Sequence, residues 1–358
     1  MNKLNRQQDG EHEIMKLTKV KLATAVGLAI SLGMAGQASA SVYAGSRLLI
    51  QDLSIVSTNT GPGGGQDPGS DISSFEFRIE NTARLNNIPD PSASTGNNCG
   101  GTFLSNDCGA ATALDADPAN APGGAPVRSN NDFSFFGTSA NQYSNSDSVI
   151  FDAELTGDPT TRTAQISESE LQNGTSAGAS AEVGSSTGLI FAFTTVGDTT
   201  DLIITFEADP ALGVAINQLN FLNGNARAGV EFNIALTEDD TGDQVTWSPE
   251  GTADNNCGVD DGLDSAGVTC AELADGEDLN RNLSVSSNGA SNQFSPGAIW
   301  SDFGIEIAGL GAGDWTLALT AFTNTAMRQQ QVPLPGTLLL LGAGLVAVSA
   351  RRKKTLPA

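Results

Sequence analysis

Apolar and polar residues alternate with a period of two through most of this 358-residue chain. In "SSFEFRIE", residues 73–80, Phe75, Phe77 and Ile79 alternate with Ser74, Glu76 and Arg78; in "DWTLALTAF", residues 314–322, Trp315, Leu317 and Leu319 share one face. Such spacing fits strands with one side in a core and one in water. Similar runs occupy 47–55, 148–155, 189–195, 202–207, 229–236 and 303–307, separated by Gly-, Asn-, Asp- and Ser-rich turns. Helical spacing is scarce, with "SESELQ" at 167–172 the modest candidate. Short antiparallel strands need a second layer over their apolar face, so the pattern predicts an all-β fold: an antiparallel β-sandwich, of which the jelly roll is one form. One ectodomain core is expected over residues 41–331.

Two long polar stretches, 86–131 and 238–280, interrupt the alternation and are expected as loops. Each carries a cysteine pair and an "NNCG" tetrapeptide. Four cysteines permit three connectivities. The short spacing within each pair favours local bridges, Cys99 to Cys108 and Cys257 to Cys270.

The two ends have a different character. From Met15, the expected initiator, Lys16, Lys19 and Lys21 precede an apolar run at 22–34 and the small residues Ala38, Ser39 and Ala40. This is the layout of a secretory signal peptide, with cleavage expected between Ala40 and Ser41. At the other end, residues 336–350 are uncharged, and counting back to Val332 gives 19 residues, enough for a single transmembrane helix. Arg351, Arg352, Lys353 and Lys354 follow, and cation-rich short segments stay on the cytoplasmic side. Pro333 and Pro335 stop that helix from running back into the ectodomain.

This tail, with Val332, Pro333, Leu334 and Pro335, the "LLLLGAGL" span at 338–345 and the four terminal cations, resembles the PEP-CTERM sorting segment, the substrate of exosortases in Gram-negative bacteria. Leu334 stands where the name-giving motif has Glu, giving the Val-Pro-Leu-Pro variant. "YAGSRLLI" at 43–50 and "GDWTLALTAFTNT" at 313–325 are similar to exosortase-dependent surface proteins. The resemblance implies processing by an exosortase, an intermediate anchored in the inner membrane through the tail, and a final place at the cell surface or in an extracellular matrix of exopolysaccharide and biofilm.

Charge narrows the partners. Between residues 41 and 331 there are 8 arginines and no lysine against 38 carboxylates, a net −30 where the whole chain carries −24. Such a surface repels phosphate backbones, so nucleic acid and anionic lipid headgroups are poor partners, whereas calcium suits it. The sole histidine, His12, precedes the expected cleavage point. Without imidazole, Ser-His-Asp and Cys-His nucleophiles and the common zinc sites are excluded. The "GTSAG" at 174–178 resembles a nucleophile elbow around Ser176 but has no base to serve it.

Within "DNNCGVDDGLD", the oxygen-bearing Asp254, Asn256, Asp260, Asp261 and Asp264 form a candidate calcium loop, although Gly258 breaks the EF-hand order. Trp315 is expected in the core, and Trp247, flanked by acidic segments, as an exposed contact. The expectation is a non-catalytic exported surface or matrix protein with no required cofactor. The alternatives are a calcium-assisted, lectin-like carbohydrate-binding module and, further off, a polysaccharide hydrolase using two carboxylates.

Overall fold

The structure, a computed structural model, describes residues 41–59, 72–89, 99–101, 114–115, 125–129, 131–139, 141–151, 162–172, 179–196, 199–217, 222–252, 254–255, 257–286, 289–295 and 300–331. Alternation becomes strand throughout the runs at 47–55, 73–80, 189–195, 202–207, 229–236, 303–307 and 314–322 and over 148–151, while 152–155 lie outside the described residues. They are β1 (Ser41–Asn59), β2 (Ile72–Leu85), β3 (Ile88–Pro89), β4 (Cys99–Gly101), β5 (Leu114–Asp115), β6 (Tyr143–Phe151), β7 (Arg162–Gln172), β8 (Ala179–Thr195) and β9 (Thr200–Asn217). There follow β10 (Leu222–Glu238), β11 (Gln244–Trp247), β12 (Cys257–Val259), the short helix α1 (Asp261–Ser265), β13 (Thr269–Asp275), β14 (Asn282–Val285), β15 (Ser291–Phe294), β16 (Ser301–Leu310) and β17 (Gly313–Gln331).

The strands form two sheets, and the pairings described are antiparallel. The first runs β13-β16-β9-β1-β7-β6-β5, with β15 also on β9; the second runs β12-β11-β10-β17-β8-β2-β3, with β14 on β10 and β4 on β2. Asn86 and Asn87, at φ of 54° and 64°, make the two-residue turn between β2 and β3 that sets Leu85 opposite Ile88.

The inner faces meet in two kinds of packing. Over one part the gap is filled by rings: Phe206 meets Phe232 of the opposite sheet at 4.8 Å and stacks on Phe303 of its own sheet at 5.0 Å, while within the second sheet Phe77 meets Phe191 edge-on at 6.1 Å. Each such ring contributes roughly 1.5–3 kcal/mol by leaving water. Over the other part small polar side chains interlock. Ser167 Oγ bonds the hydroxyl and carbonyl oxygens of Thr323, both at 3.0 Å, and Ser169 meets Thr325 at 3.0 Å. Ser46 donates to the Asn324 carbonyl at 3.0 Å, and Ser148 to Asn81 Oδ1 at 3.1 Å. Hydroxyls that bond each other across the gap can be buried without the usual penalty.

Three expectations are corrected. "SESELQ" is not helical but the end of β7, whose residues 163–172 are all buried on both faces. The stretch 238–280 is not a long loop: it supplies β11, β12, α1 and β13, which extend an edge of each sheet. Trp247 is 1% exposed on β11, not a surface contact; its indole donates to Glu272 Oε1 at 2.8 Å. Trp315, 2% exposed, is in the core as expected. No helix among the described residues is long and apolar enough to cross a membrane. The expected transmembrane segment lies outside those residues.

Candidate functional site

Three regions bear on function: the tail, the disulfide-bearing insertion, and a polar cluster that the sequence did not announce. The tail begins where β17 ends. Gln331 pairs with Leu222, and Val332 follows directly. Val332, Pro333, Leu334, Pro335 and the cations at 351–354 lie outside the described residues, as do Ala38 and Ala40; Ser41 opens β1.

In the insertion, Cys257 on β12 and Cys270 on β13 form a disulfide with Cα atoms 5.8 Å apart. Since β12 ends one sheet and β13 the other, this bridge fastens the two sheets at one margin. The side chain of Cys99 and all of Cys108 fall outside the description.

Among the described residues, the expected calcium-loop carboxylates form no metal-binding group. Asp260 Oδ2 accepts the Gln244 amide at 2.8 Å, Asp261 and Asp264 stand exposed in the first turn of α1, Asp254 is exposed, and Asn256 is not described. The carboxylates here serve the backbone instead. Glu272 Oε2 accepts the amides of Asp254 and Asn255 at 2.9 and 2.8 Å, and Asp275 Oδ2 accepts those of Glu250, Gly251 and Thr252 at 3.0 to 3.2 Å. Burial raises the Asp275 carboxyl above its ordinary range. No group of three or more His, Cys, Asp or Glu able to hold a metal ion occurs among the described residues.

The third region lies on the outer face of β1, β6 and β7. The described residues 125–129 and 131–139 cross this face as a strap without strand pairing, and the amides of Asn131, Phe136, Gly137 and Ser139 are taken up by carboxylates beneath it. Glu168 is saturated: Oε1 accepts Tyr43 Oη and the Gly137 amide, both at 2.8 Å, and Oε2 accepts Arg128 Nη2 at 2.6 Å and the Phe136 amide at 3.0 Å. Glu170 takes the Ser139 amide at 2.5 Å, and Asp147 the Asn131 amide at 2.8 Å.

Arg128 threads back from the strap. Its Nε reaches Asn145 Oδ1 at 3.2 Å, its Nη1 reaches the carbonyls of Asp132 and Ser134 at 2.5 and 2.9 Å, and its guanidinium lies 4.3 Å from the Phe136 ring centre. Nearby, Arg47 pairs with Asp209 at 2.7 Å and approaches the Phe133 carbonyl at 3.5 Å. Gly45 makes room for the strap, because a Cβ there would fall 2.8 Å from Phe135 Cε1 and 2.6 Å from Tyr43 Oη.

Electrostatics follow from this burial. Asp147 and Glu170 are both pushed up to about 7 by desolvation, and Asp147 Oδ1 has no partner to offset it. Burial likewise drives the phenols of Tyr43 and Tyr143 far upward, so both stay protonated. Asp132, at the strap's surface, is held low by the hydroxyl and amide of Ser134. The cluster can bind a strap tightly, but with both Glu168 oxygens engaged it offers a substrate no free lone pair at that carboxylate.

The tail has a counterpart among known families. The family model described as the PEP-CTERM protein-sorting motif matches residues 331–353. The tail is a PEP-CTERM sorting motif. Its presence makes the chain an exosortase-sorted, exported surface protein of the Gram-negative type.

No curated protein matches the PEP-CTERM chain. Among solved structures, it aligns with the infectious bursal disease virus VP2 subviral particle at 12% identity over 88% of each chain, with a TM-score of 0.10. It also aligns with the T=1 particles derived from that virus at 11% identity, over 83% of this chain and 78% of that one, with a TM-score of 0.09. Likeness at that level carries no argument.

Sequence reasoning missed the strap cluster. The available sign was a lone Arg128, in a segment with few cations, ahead of the acidic "SESE" of β7.

Proposed function

We propose that the exported chain is a non-catalytic constituent of the cell surface and extracellular matrix, associated with exopolysaccharide in a biofilm. The observation that carries this reading is the sorting motif at 331–353, joined without a spacer to a central strand of a folded β unit. In this reading residues 332–350 span the inner membrane during export, Arg351 to Lys354 remain on the cytoplasmic side, and the exosortase acts at 332–335, at the outer end of the span. The lack of imidazole after His12 and the engagement of both carboxylate oxygens of Glu168 and Glu272 by protein donors support a structural rather than a catalytic role.

Fractionation of the native cells, with and without their exosortase, tests the proposal. The chain should appear in the matrix fraction with its polysaccharide in exosortase-bearing cells and remain with the inner membrane in the others. An identical distribution in both strains, or turnover of a polysaccharide by the purified matrix form, would overturn it.

A further inference from the structure

β17 is the strand that leads into the sorting tail, and it is held along its whole length. Residues 222–238 of β10 pair with it on one side and 179–195 of β8 on the other, each in unbroken antiparallel register. A third set of contacts comes from the opposite sheet, where Ser46 and Ser167 donate to the carbonyls of Asn324 and Thr323 and Ser169 meets Thr325. At 19 residues the strand is about 60 Å long, since each residue advances it by about 3.3 Å.

Direction matters as much as number. Both β10 and β8 begin beside the tail-proximal end of β17, with Leu222 opposite Gln331 and Ala179 opposite Gln329, and finish at its far end, with Glu238 opposite Trp315 and Thr195 opposite Gly313. Tension applied between the tail and the far end therefore acts along the strands and loads all the inter-strand hydrogen bonds together. Ser41 lies at the tail end too: it pairs with Asn217 just before β10 begins, and a Cβ on Gly224 would fall 3.1 Å from Val42 Cγ2. Tension between Ser41 and the tail would instead open the bonds one pair after another from that end.

We infer that the folded unit is built to bear mechanical tension between the end remote from the tail and the sorted C-terminus, through β17 sheared against β8 and β10. The inference rests on the surface role proposed above for its biological setting, but not for its mechanics. Asp239 to Thr241, the turn that follows β10, marks the remote end and is open to solvent at Asp239 and Asp240.

Single-molecule force spectroscopy on the unprocessed chain, made in cells without the exosortase so that the tail is retained, with a handle after Ala358, tests it. The second handle is placed at Asp240→Cys or at Ser41→Cys. Forced rupture reports the barrier to unfolding, and shearing many antiparallel bonds at once should need clearly more force than opening them in turn, because the load is shared among bonds that lie perpendicular to the strands. Circular dichroism of both variants establishes that each is folded. Removing the interlocking hydroxyls in Thr323→Val/Thr325→Val should lower the rupture force along the Asp240 axis and leave the Ser41 axis nearly unchanged. Equal forces along the two axes, or a weaker Asp240 axis, would overturn the inference while leaving exosortase sorting intact. Loss of exosortase dependence in cells would remove its setting without altering either force.

Discussion

Arg128 Nη2 lies 2.6 Å from Glu168 Oε2, and both side chains are wholly removed from solvent. A buried ion pair is expensive to assemble and more expensive to break, because removing one partner strands the other charge away from water. Arg128→Met or Glu168→Leu alone should destabilise the fold by about 3–5 kcal/mol, and the two together by less than the sum of the single changes. Arg128→Lys should rescue little, because one ammonium cannot reach Asn145, the Asp132 and Ser134 carbonyls and Glu168 at once. Chemical denaturation of the four variants measures this; additive losses would contradict the coupling.

The strap also gives stability a pH dependence. Asp147 and Glu170 titrate at about 7 in the folded chain, against ordinary values of 3.8 and 4.5. A folded-state value above the unfolded one means that the folded chain holds its protons more tightly. The contribution of these two groups is therefore complete below about pH 4, is lost as pH rises to about 7, and is level beyond. Glu168, Tyr43, Tyr143 and Gln172 face Glu170, and Arg128 faces Asp147, so ionising both adds two negative charges to a buried cluster with one guanidinium. Urea midpoints should be higher at about pH 5.5 than at about pH 8, and Asp147→Asn/Glu170→Gln should flatten that difference. An unchanged slope in the double variant would refute the assignment.

Gly45 offers a steric test of the same strap. A methyl at this position meets Tyr43 and Phe135 closer than atoms can approach, so Gly45→Ala should cost about 1–3 kcal/mol. Amide exchange should show the loss first at 131–139. Uniform loss across both sheets would mean the strap is not what the residue accommodates.

Much of this architecture was readable beforehand. The alternating runs at 73–80, 189–195, 229–236, 303–307 and 314–322 all lie within strands, because in each the apolar face meets the ring-filled part of the core. β7 escaped because in its later half Leu171 is the sole apolar residue. Its Ser167 and Ser169 bond Thr323 and Thr325, and its Glu168 and Glu170 bond a strap that is remote in sequence. Hydrophobic periodicity cannot report a strand buried by hydrogen bonds. Trp247 was misplaced for a related reason: its acidic neighbours suggested water, yet one acid, Glu272, is the partner that lets its indole be buried. The sorting motif was legible because it is a local pattern, read without a fold.

The disulfide should matter more than its short loop suggests. Cys257 and Cys270 join the outermost strands of opposite sheets, so Cys257→Ser/Cys270→Ser should lower stability by roughly 2–4 kcal/mol and open that margin first. Thermal unfolding gives the magnitude, and exchange at 244–247 and 269–275 gives the location. Normal protection there in the variant would contradict it.

The most direct test of the sorting reading is intact and peptide mass spectrometry of the protein recovered from its own cells. Signal-peptide cleavage predicts an N-terminus at Ser41, and exosortase processing predicts a new C-terminus within 332–335. A mature chain that still ends at Ala358 would contradict it and leave the tail a membrane anchor.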